Sequence, residues 1–387
     1  MSEAPTPTLN IGLIGFGFIG KLHANAYHSI PYCFAHPTVT AHIQAVLRSN
    51  PGGDQEFIRS LNIDMVTSQV EEFYSQSLDA VDICTPNVFH REQALEAIRQ
   101  NKHLYCEKPL GRTLADAQAI AESARKSGLI THSAFMMRYV PAIRQMKAVI
   151  ENGGIGQPYH FRAHMVHSSY LDKLRPMSWR LRHAAAGGGA LADLGIHMMD
   201  LIRFLLGEVT WVQCQTRTFI TERPTTAGSA QMETVDVDDW ALCSLGLQNG
   251  STGFIEVTRV SGGTNESSGI EIIGSQGTVK VDFENPMAVD FFDARRKQWL
   301  IGPQDFPPPT GLRPIEQLWP ASKQSLGYML NAHLASAYDF LHCIQENKPS
   351  MLNFDTALAA QEILEAAYLS ASKSSQRINL PLTLNKD

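Results

Sequence analysis

The sequence has no basic run long enough to track a phosphate backbone, no long apolar stretch and no paired cysteines, and each absence removes a class of function. Without clustered Lys and Arg, nothing can track a phosphate backbone, so nucleic acid is not an expected partner. The 32 basic and 38 acidic residues are dispersed and leave a net charge of −6. No segment approaches the ~18 uninterrupted apolar residues that a membrane span needs. Met1 to Thr8 is polar and Pro-rich, without the apolar core of a secretory leader. A cytoplasmic protein without membrane contact is the expectation. The six cysteines, at 33, 84, 106, 214, 243 and 343, form no CxxC pair, which speaks against both a disulfide framework and a cysteine zinc site. What remains is a chain of 387 residues, 44% hydrophobic, long enough for two or three cores at roughly 150 residues each.

The first pattern is a dinucleotide signature. Asn10 to Ile14 is a short apolar run, followed by Gly15-Phe16-Gly17-Phe18-Ile19-Gly20 and then by helical periodicity from Leu22. A strand before the glycines and a helix after them is the context that GxGxxG requires. Gly15 makes the turn, Gly17 admits a pyrophosphate, Gly20 lets helix and strand pack closely, and the helix N-terminus faces the phosphates. The second strand, Thr40 to Leu47, ends in Arg48-Ser49-Asn50. A guanidinium cannot accept hydrogen bonds from ribose hydroxyls but suits a 2′-phosphate, so NADP is favoured over NAD.

Strand and helix patterns then alternate to Phe135, which predicts a parallel sheet with helices on both faces and a Rossmann domain over residues 1–138. Ligands bind outside the carboxyl ends of such strands. Thr85, Pro86 and Asn87 follow one strand, with His90 opening the next helix, and Glu107 and Lys108 follow another. Together with Gly15 to Gly20 and Arg48, these are the expected cofactor contacts. Lys108, set between a strand end and Pro109, is held in place.

From Gln157 the periodicity changes to that of half-buried strands, as where Val279, Val281 and Phe283 alternate with Lys280 and Asp282. Residues 139–387 therefore read as a second α/β domain with a large, open, mostly antiparallel sheet, closed by helices near Tyr328 to Gln345 and Asp355 to Lys373. Within it, Gly187-Gly188-Gly189 precedes a helix expected from about Ala190 to Leu206. Asp193 and His197 are four apart on that helix, a carboxylate and an imidazole on one face beside a glycine turn. Asp200 follows, but the set offers no third soft ligand, and His164 and His167 point to opposite faces of a strand, so no metal is expected. Trp179, Arg180 and Arg138 are candidate substrate contacts.

GFGFIG after a strand, EKP after a later strand and GGGALADLGIHMMD opening a helix together resemble the Gfo/Idh/MocA family of nicotinamide-dependent sugar and polyol oxidoreductases. The likeness spans nearly the whole chain, and SWR (178–180), ERP (222–224), VDVDD (235–239) and LWP (318–320) are similar to one branch of it. Arg48 departs from that branch, which carries an acid there, and Met136 stands where an asparagine is common before the family's Arg-x-x-Pro. The resemblance implies a Rossmann domain joined to an α/β domain, homo-oligomers formed through the exposed sheet face, and a catalytic set of Lys108, Asp193 and His197. The function implied is hydride transfer between nicotinamide and a secondary alcohol or ketone of a cyclic sugar, anhydrosugar or polyol. An imidazole, with an ordinary pKa of about 6.5, suits the general base. Two alternatives stand beside it: a glycosidase that oxidises its substrate transiently with a retained cofactor, and a cofactor-binding sensor without catalysis.

Overall fold

The computed structural model describes residues 6–303 and 305–382. The chain opens with β1 (Thr8–Ile14), α1 (Phe18–Cys33), β2 (Thr40–Leu47), α2 (Gln55–Ser60), β3 (Met65–Thr67), α3 (Val70–Tyr74), β4 (Ala80–Ile83), α4 (His90–Arg99), β5 (His103–Cys106), α5 (Leu114–Ser127) and β6 (Thr131–Ser133). Its six strands form one parallel sheet in the order β3-β2-β1-β4-β5-β6. Helices on both faces leave the central strands no wet side. Ile11 and Leu13 of β1, and Val81 and Ile83 of β4, are completely buried, each contributing on the order of 2 kcal/mol by removal from water.

The rest comprises α6 (Pro141–Glu151), β7 (Pro158–His167), α7 (His183–Ala186), a π-helical turn (Leu191–Gly195) running into α8 (Ile196–Leu206), β8 (Val209–Arg217), β9 (Glu222–Pro224), β10 (Met232–Thr234), β11 (Trp240–Leu247) and β12 (Thr252–Thr258). It continues with β13 (Glu266–Gly274), β14 (Gly277–Asp282), β15 (Asp290–Asp293), β16 (Gln298–Ile301), α9 (Tyr328–Glu346), α10 (Phe354–Ser372) and β17 (Ile378–Asn379). Nine strands form a sheet in the order β16-β15-β14-β13-β7-β12-β11-β8-β17, antiparallel throughout except for β7 with β12. β9 and β10 pair separately as a hairpin. The alternation in β14 has its expected meaning: Val279 and Val281 are buried, Lys280 and Asp282 exposed. The large, open, mostly antiparallel sheet expected of the second half is present, and the fold is α/β.

The chain divides into two compact units, one of residues 1–111, 115–139 and 313–358, the other of residues 112–114, 140–312 and 359–387. This corrects the division at residue 138, because residues 313–358 return to the first unit. There α9 lies along α1, Phe34 stacks on Tyr338 with centroids 4.5 Å apart, and the Thr38 N–H donates to the Tyr338 hydroxyl at 3.2 Å. The apolar face of α9 predicts burial, and Leu334 and Leu341 are fully buried, but periodicity cannot tell which core receives them. All six cysteines are free and buried. Among the described residues, no helix is long and apolar enough to cross a membrane.

Candidate active site

At the glycine loop the three glycines have three duties. Gly15 has φ of +91°, and a Cβ there would stand 2.9 Å from the Cys84 carbonyl oxygen. A Cβ on Gly20 would come within 2.3 Å of the Gly15 oxygen, so only glycine lets α1 close on β1. A Cβ on Gly17 would project into open space, on the side that a pyrophosphate needs. α1 has no acidic residue in its first turn and no side-chain cap, which leaves its N-terminal N–H groups and positive dipole end for an anion. Phe16 is buried against Phe57, Ile19 is half-buried, and Phe18 is 76% exposed.

Arg48 directly follows β2, as the sequence predicts, but it is already engaged. Its Nη1 donates to Asp54 Oδ2 at 2.9 Å and to the Gly53 carbonyl at 3.3 Å, and the guanidinium lies over the Phe16 ring at 5.6 Å. Lys21 Nζ donates to the other Asp54 oxygen at 2.6 Å. The bonds from Lys21 and Arg48 hold the Asp54 carboxyl below its ordinary range. Two cations thus share one carboxylate where the ribose end of a dinucleotide would lie. Sequence reading passes over Asp54 because its pairing runs through a loop.

Thr85, Pro86 and Asn87 follow β4, and Asn87 begins a short 3₁₀ turn. His90 is wholly buried, its Nδ1 at 2.9 Å from the Pro109 oxygen and its Nε2 at 2.9 Å from the Thr85 oxygen. Facing backbone carbonyls with both ring nitrogens, it sits between two loops. Glu107 likewise turns inward, toward His23. Lys108 is half-buried and joined to Pro109 by a cis peptide bond. Arg138 is 6% exposed on a 3₁₀ turn of the same unit.

In the second unit, the helix that carries Asp193 and His197 begins as a π turn, in which the Ile196 N–H reaches the Leu191 carbonyl five residues back. Four residues therefore fall just short of one turn instead of just past it, a correction to the straight α-helix read from periodicity. His197 is 5% exposed. The glycines before the turn make room for protein, not for a ligand. A Cβ on Gly187, Gly188 or Gly189 would stand 2.2, 2.2 or 2.0 Å from the Arg112 oxygen, the Tyr368 hydroxyl or the Asp238 oxygen respectively. Asp238 caps the turn from a distance: its Oδ1 accepts the Gly189 N–H at 2.9 Å and the Tyr368 hydroxyl at 2.7 Å, and its Oδ2 accepts the Leu191 N–H at 2.8 Å.

Around Asp193 the unit gathers side chains that sequence reading does not single out. Arg259, 1% exposed, sets its Nε 3.7 Å from Asp193 Oδ2, lies over the Tyr170 ring at 5.1 Å and donates to the Arg180 carbonyl at 3.3 Å. Arg223, fully buried, holds the Tyr170 and Asp172 carbonyls at 2.5 and 2.7 Å. Burial keeps the His167 ring below its usual range against the opposing pull of Asp193. The Arg180 guanidinium stacks over Trp179 at 4.4 Å. His167 and Arg259 meet because β7 and β12 run parallel and end side by side, with Val166 opposite Thr258. A charged residue closing the apolar run of β12 is the one sequence signal that points to Arg259.

A parallel sheet with an open glycine loop at its carboxyl edge, and a second unit holding a buried histidine and an ion-paired aspartate on one helix, define a nicotinamide-dependent oxidoreductase. Residues 9–135 match the oxidoreductase family model with an NAD-binding Rossmann fold, and residues 143–280 match the GFO/IDH/MocA C-terminal domain. The chain belongs to the Gfo/Idh/MocA oxidoreductase family. It is 32% identical to the levoglucosan dehydrogenase of Pseudarthrobacter phenanthrenivorans over 93% of its own length and 96% of that protein's. It is 28% identical to the myo-inositol 2-dehydrogenase of Thermotoga maritima, covering 71% of this chain and 75% of that one. The solved structure of levoglucosan dehydrogenase in complex with NADH and levoglucosan superposes with a TM-score of 0.87 at 31% identity, covering 97% of this chain and 100% of that one.

Proposed function

We propose that this protein is a dehydrogenase acting on a secondary alcohol, or the corresponding ketone, of a cyclic sugar, anhydrosugar or polyol. The observation that carries this reading is a lysine two residues past the end of β5, together with an aspartate and a histidine on the helix at Leu191–Leu206, in a chain alike over nearly its whole length to levoglucosan dehydrogenase. When bound, the nicotinamide supplies the acceptor or donor of the hydride. His197 takes the hydroxyl proton on oxidation and returns it on reduction. The Lys108 ammonium stabilises the developing alkoxide by a charge-assisted hydrogen bond. Asp193, with Arg259 fixing one oxygen, orients the substrate hydroxyl. Trp179, Arg180 and Arg138 are the proposed substrate contacts. A screen of sugars, anhydrosugars and polyols, read by absorbance at the reduced-nicotinamide band, tests the reading. A product released by hydrolysis with no net nicotinamide reduction would replace it with the glycosidase.

The cofactor contacts proposed are Gly15 to Gly20, Arg48, Thr85, Pro86, Asn87 and Lys108. NADP is favoured over NAD, because Arg48 and Lys21 present two cations at the end of β2. Asp54 supports a second reading, since its carboxylate can accept the ribose hydroxyls of NAD. Titration with both nucleotides separates them, and tighter binding of NAD would retire the first. The protein is further proposed to be a cytoplasmic homo-oligomer, its six cysteines being free thiols and Tyr159, Phe254 and Ile301 on the large sheet being 56, 40 and 75% exposed. A monomer in light scattering would count against the assembly.

A further inference from the structure

Beneath Lys108 lies a closed polar cluster that no part of the proposed reaction uses. His23 on α1, Asp82 on β4, Glu107 after β5 and His333 on α9 are 2, 0, 7 and 4% exposed. His23 Nδ1 stands 3.0 Å from Asp82 Oδ2, and its Nε2 stands 3.2 Å from Glu107 Oε1 and 3.1 Å from His333 Nδ1. Tyr27 donates its hydroxyl to Asp82 at 3.1 Å, and the Cys84 thiol lies 3.3 Å from the other Asp82 oxygen. The Tyr105 ring meets His23 edge-on at 5.2 Å. Glu107 is pinned at its backbone, where its N–H donates to the Ile83 carbonyl at 3.0 Å, and its other oxygen, Oε2, receives the Lys108 backbone N–H at 3.1 Å.

We infer that His23 is a positioning residue for Lys108, acting through Glu107: the imidazolium, ion-paired with one carboxylate oxygen, holds Glu107 so that the other oxygen receives the backbone N–H of the lysine. Charge balance within the cluster supports this. A buried carboxylate is stable only when paired, and two carboxylates here flank a single imidazole. Carboxylate oxygens lie 3.0 and 3.2 Å from its two nitrogens, which favours a proton on each. Burial opposes that charge, but Asp82, followed by Cys84, outweighs it and raises the His23 pKa well above its ordinary value. His333 is pushed down to about 3, by burial first and the His23 charge second, and stays neutral with its Nδ1 lone pair toward His23. Burial works against the Glu107 charge too, yet the bond and charge of His23, then Lys108, bring its carboxyl to about 2. A side chain that carries no positive charge at this point releases Glu107.

The inference rests on the proposed role of Lys108, and a double-mutant cycle separates the two. Lys108→Ala, His23→Gln and the double variant are compared by kcat, KM and nucleotide affinity, with circular dichroism to check the fold. His23→Gln is expected to lower kcat about tenfold or more while nucleotide affinity changes less than threefold, and to cost nothing further when Lys108 is already alanine. Full turnover in Lys108→Ala would remove the role of the lysine itself. A normal kcat in His23→Gln, or effects that multiply in the double variant, would overturn the inference alone. Should His23→Gln fail to fold, Glu107→Gln carries the same cycle with the same outcomes. Independently, ¹⁵N-histidine spectra of the unaltered protein should keep one ring doubly protonated at a pH where the exposed histidines have become neutral, and finding every ring neutral there would overturn the inference.

Discussion

The Nε of Arg259 stands 3.7 Å from Oδ2 of Asp193, and the arginine that makes this approach is almost completely enclosed. A cation buried to that degree has little freedom to follow a moving partner, so it sets where the carboxylate can point. Replacing it by alanine removes that ion pair, the stack on Tyr170 and the bond to the Arg180 carbonyl. Arg259→Ala should lower kcat/KM by roughly ten- to a hundredfold, as expected when one member of a buried ion pair is removed. Nucleotide affinity should stay within about twofold, and Arg259→Lys should fall between the two. Steady-state kinetics with nucleotide titration checks this, and an unaltered kcat/KM in Arg259→Ala would sink it.

His197→Ala removes the proposed base. Turnover should fall by roughly a hundredfold or more, the ordinary contribution of a positioned acid–base group, with cofactor binding retained. Equal turnover in the variant and the parent would exclude the role.

Asp54 holds both Lys21 and Arg48. Asp54→Asn should leave these cations to a 2′-phosphate and tighten NADP binding by about tenfold, the effect of one released charge-assisted contact, while NAD binds no better. The ratio of the two dissociation constants reads the outcome directly. Weaker NAD binding with no gain for NADP would assign the carboxylate to the ribose hydroxyls instead.

Gly189→Ala places a methyl 2.0 Å from the Asp238 carbonyl oxygen, which is backbone and cannot swing aside. The expected cost is about 1–3 kcal/mol of stability, as for other overpacked interiors. Denaturant unfolding measures it, and an unshifted midpoint would show that the turn has slack.

Acid should unfold the first unit before it affects any surface pairing. Burial first, in each case, depresses His132 and His333 to about 3 and His342 to about 4. A histidine whose pKa is depressed in the folded state binds its proton only when the chain opens. Stability from these groups is therefore present above about 6.5 and lost as pH falls toward 3 to 4. His23 works in the opposite sense, being charged in the folded state; its contribution is complete below about 6.5 and is lost as pH rises through its raised pKa. Near pH 5 unfolding should take up roughly three protons or more, since His90, His103, His164 and His167 are also depressed, visible as a steep fall in ΔG with decreasing pH. A flat profile between pH 7 and 4 would contradict these assignments.

How much of this was legible in the sequence depends on how local each determinant is. Gly15, Gly17 and Gly20 act within one strand–turn–helix unit, so their duties can be read from order alone, and alternation in β14 gave its buried face for the same reason. Arg48 was placed correctly after β2, but its partner Asp54 lies across a loop, and no periodicity links the two. The glycines at 187–189 signalled close approach without saying to what, and the approach is to Asp238, Tyr368 and Arg112. The apolar face of α9 foretold burial but not that the helix returns to the first unit. Arg259 was missed because a site built by adjacent parallel strands depends on sheet order, which the chain does not spell out locally.

In the large sheet, one parallel pair sits among antiparallel neighbours. A parallel pair cannot be joined by a tight hairpin, so the chain must travel a long way between β7 and β12. That excursion, residues 168–251, carries Tyr170, Trp179, Arg180, Asp193, His197 and Arg223. A descendant of this chain could therefore acquire a new substrate by rewriting a single detour, while the strands it departs from and rejoins keep their alignment.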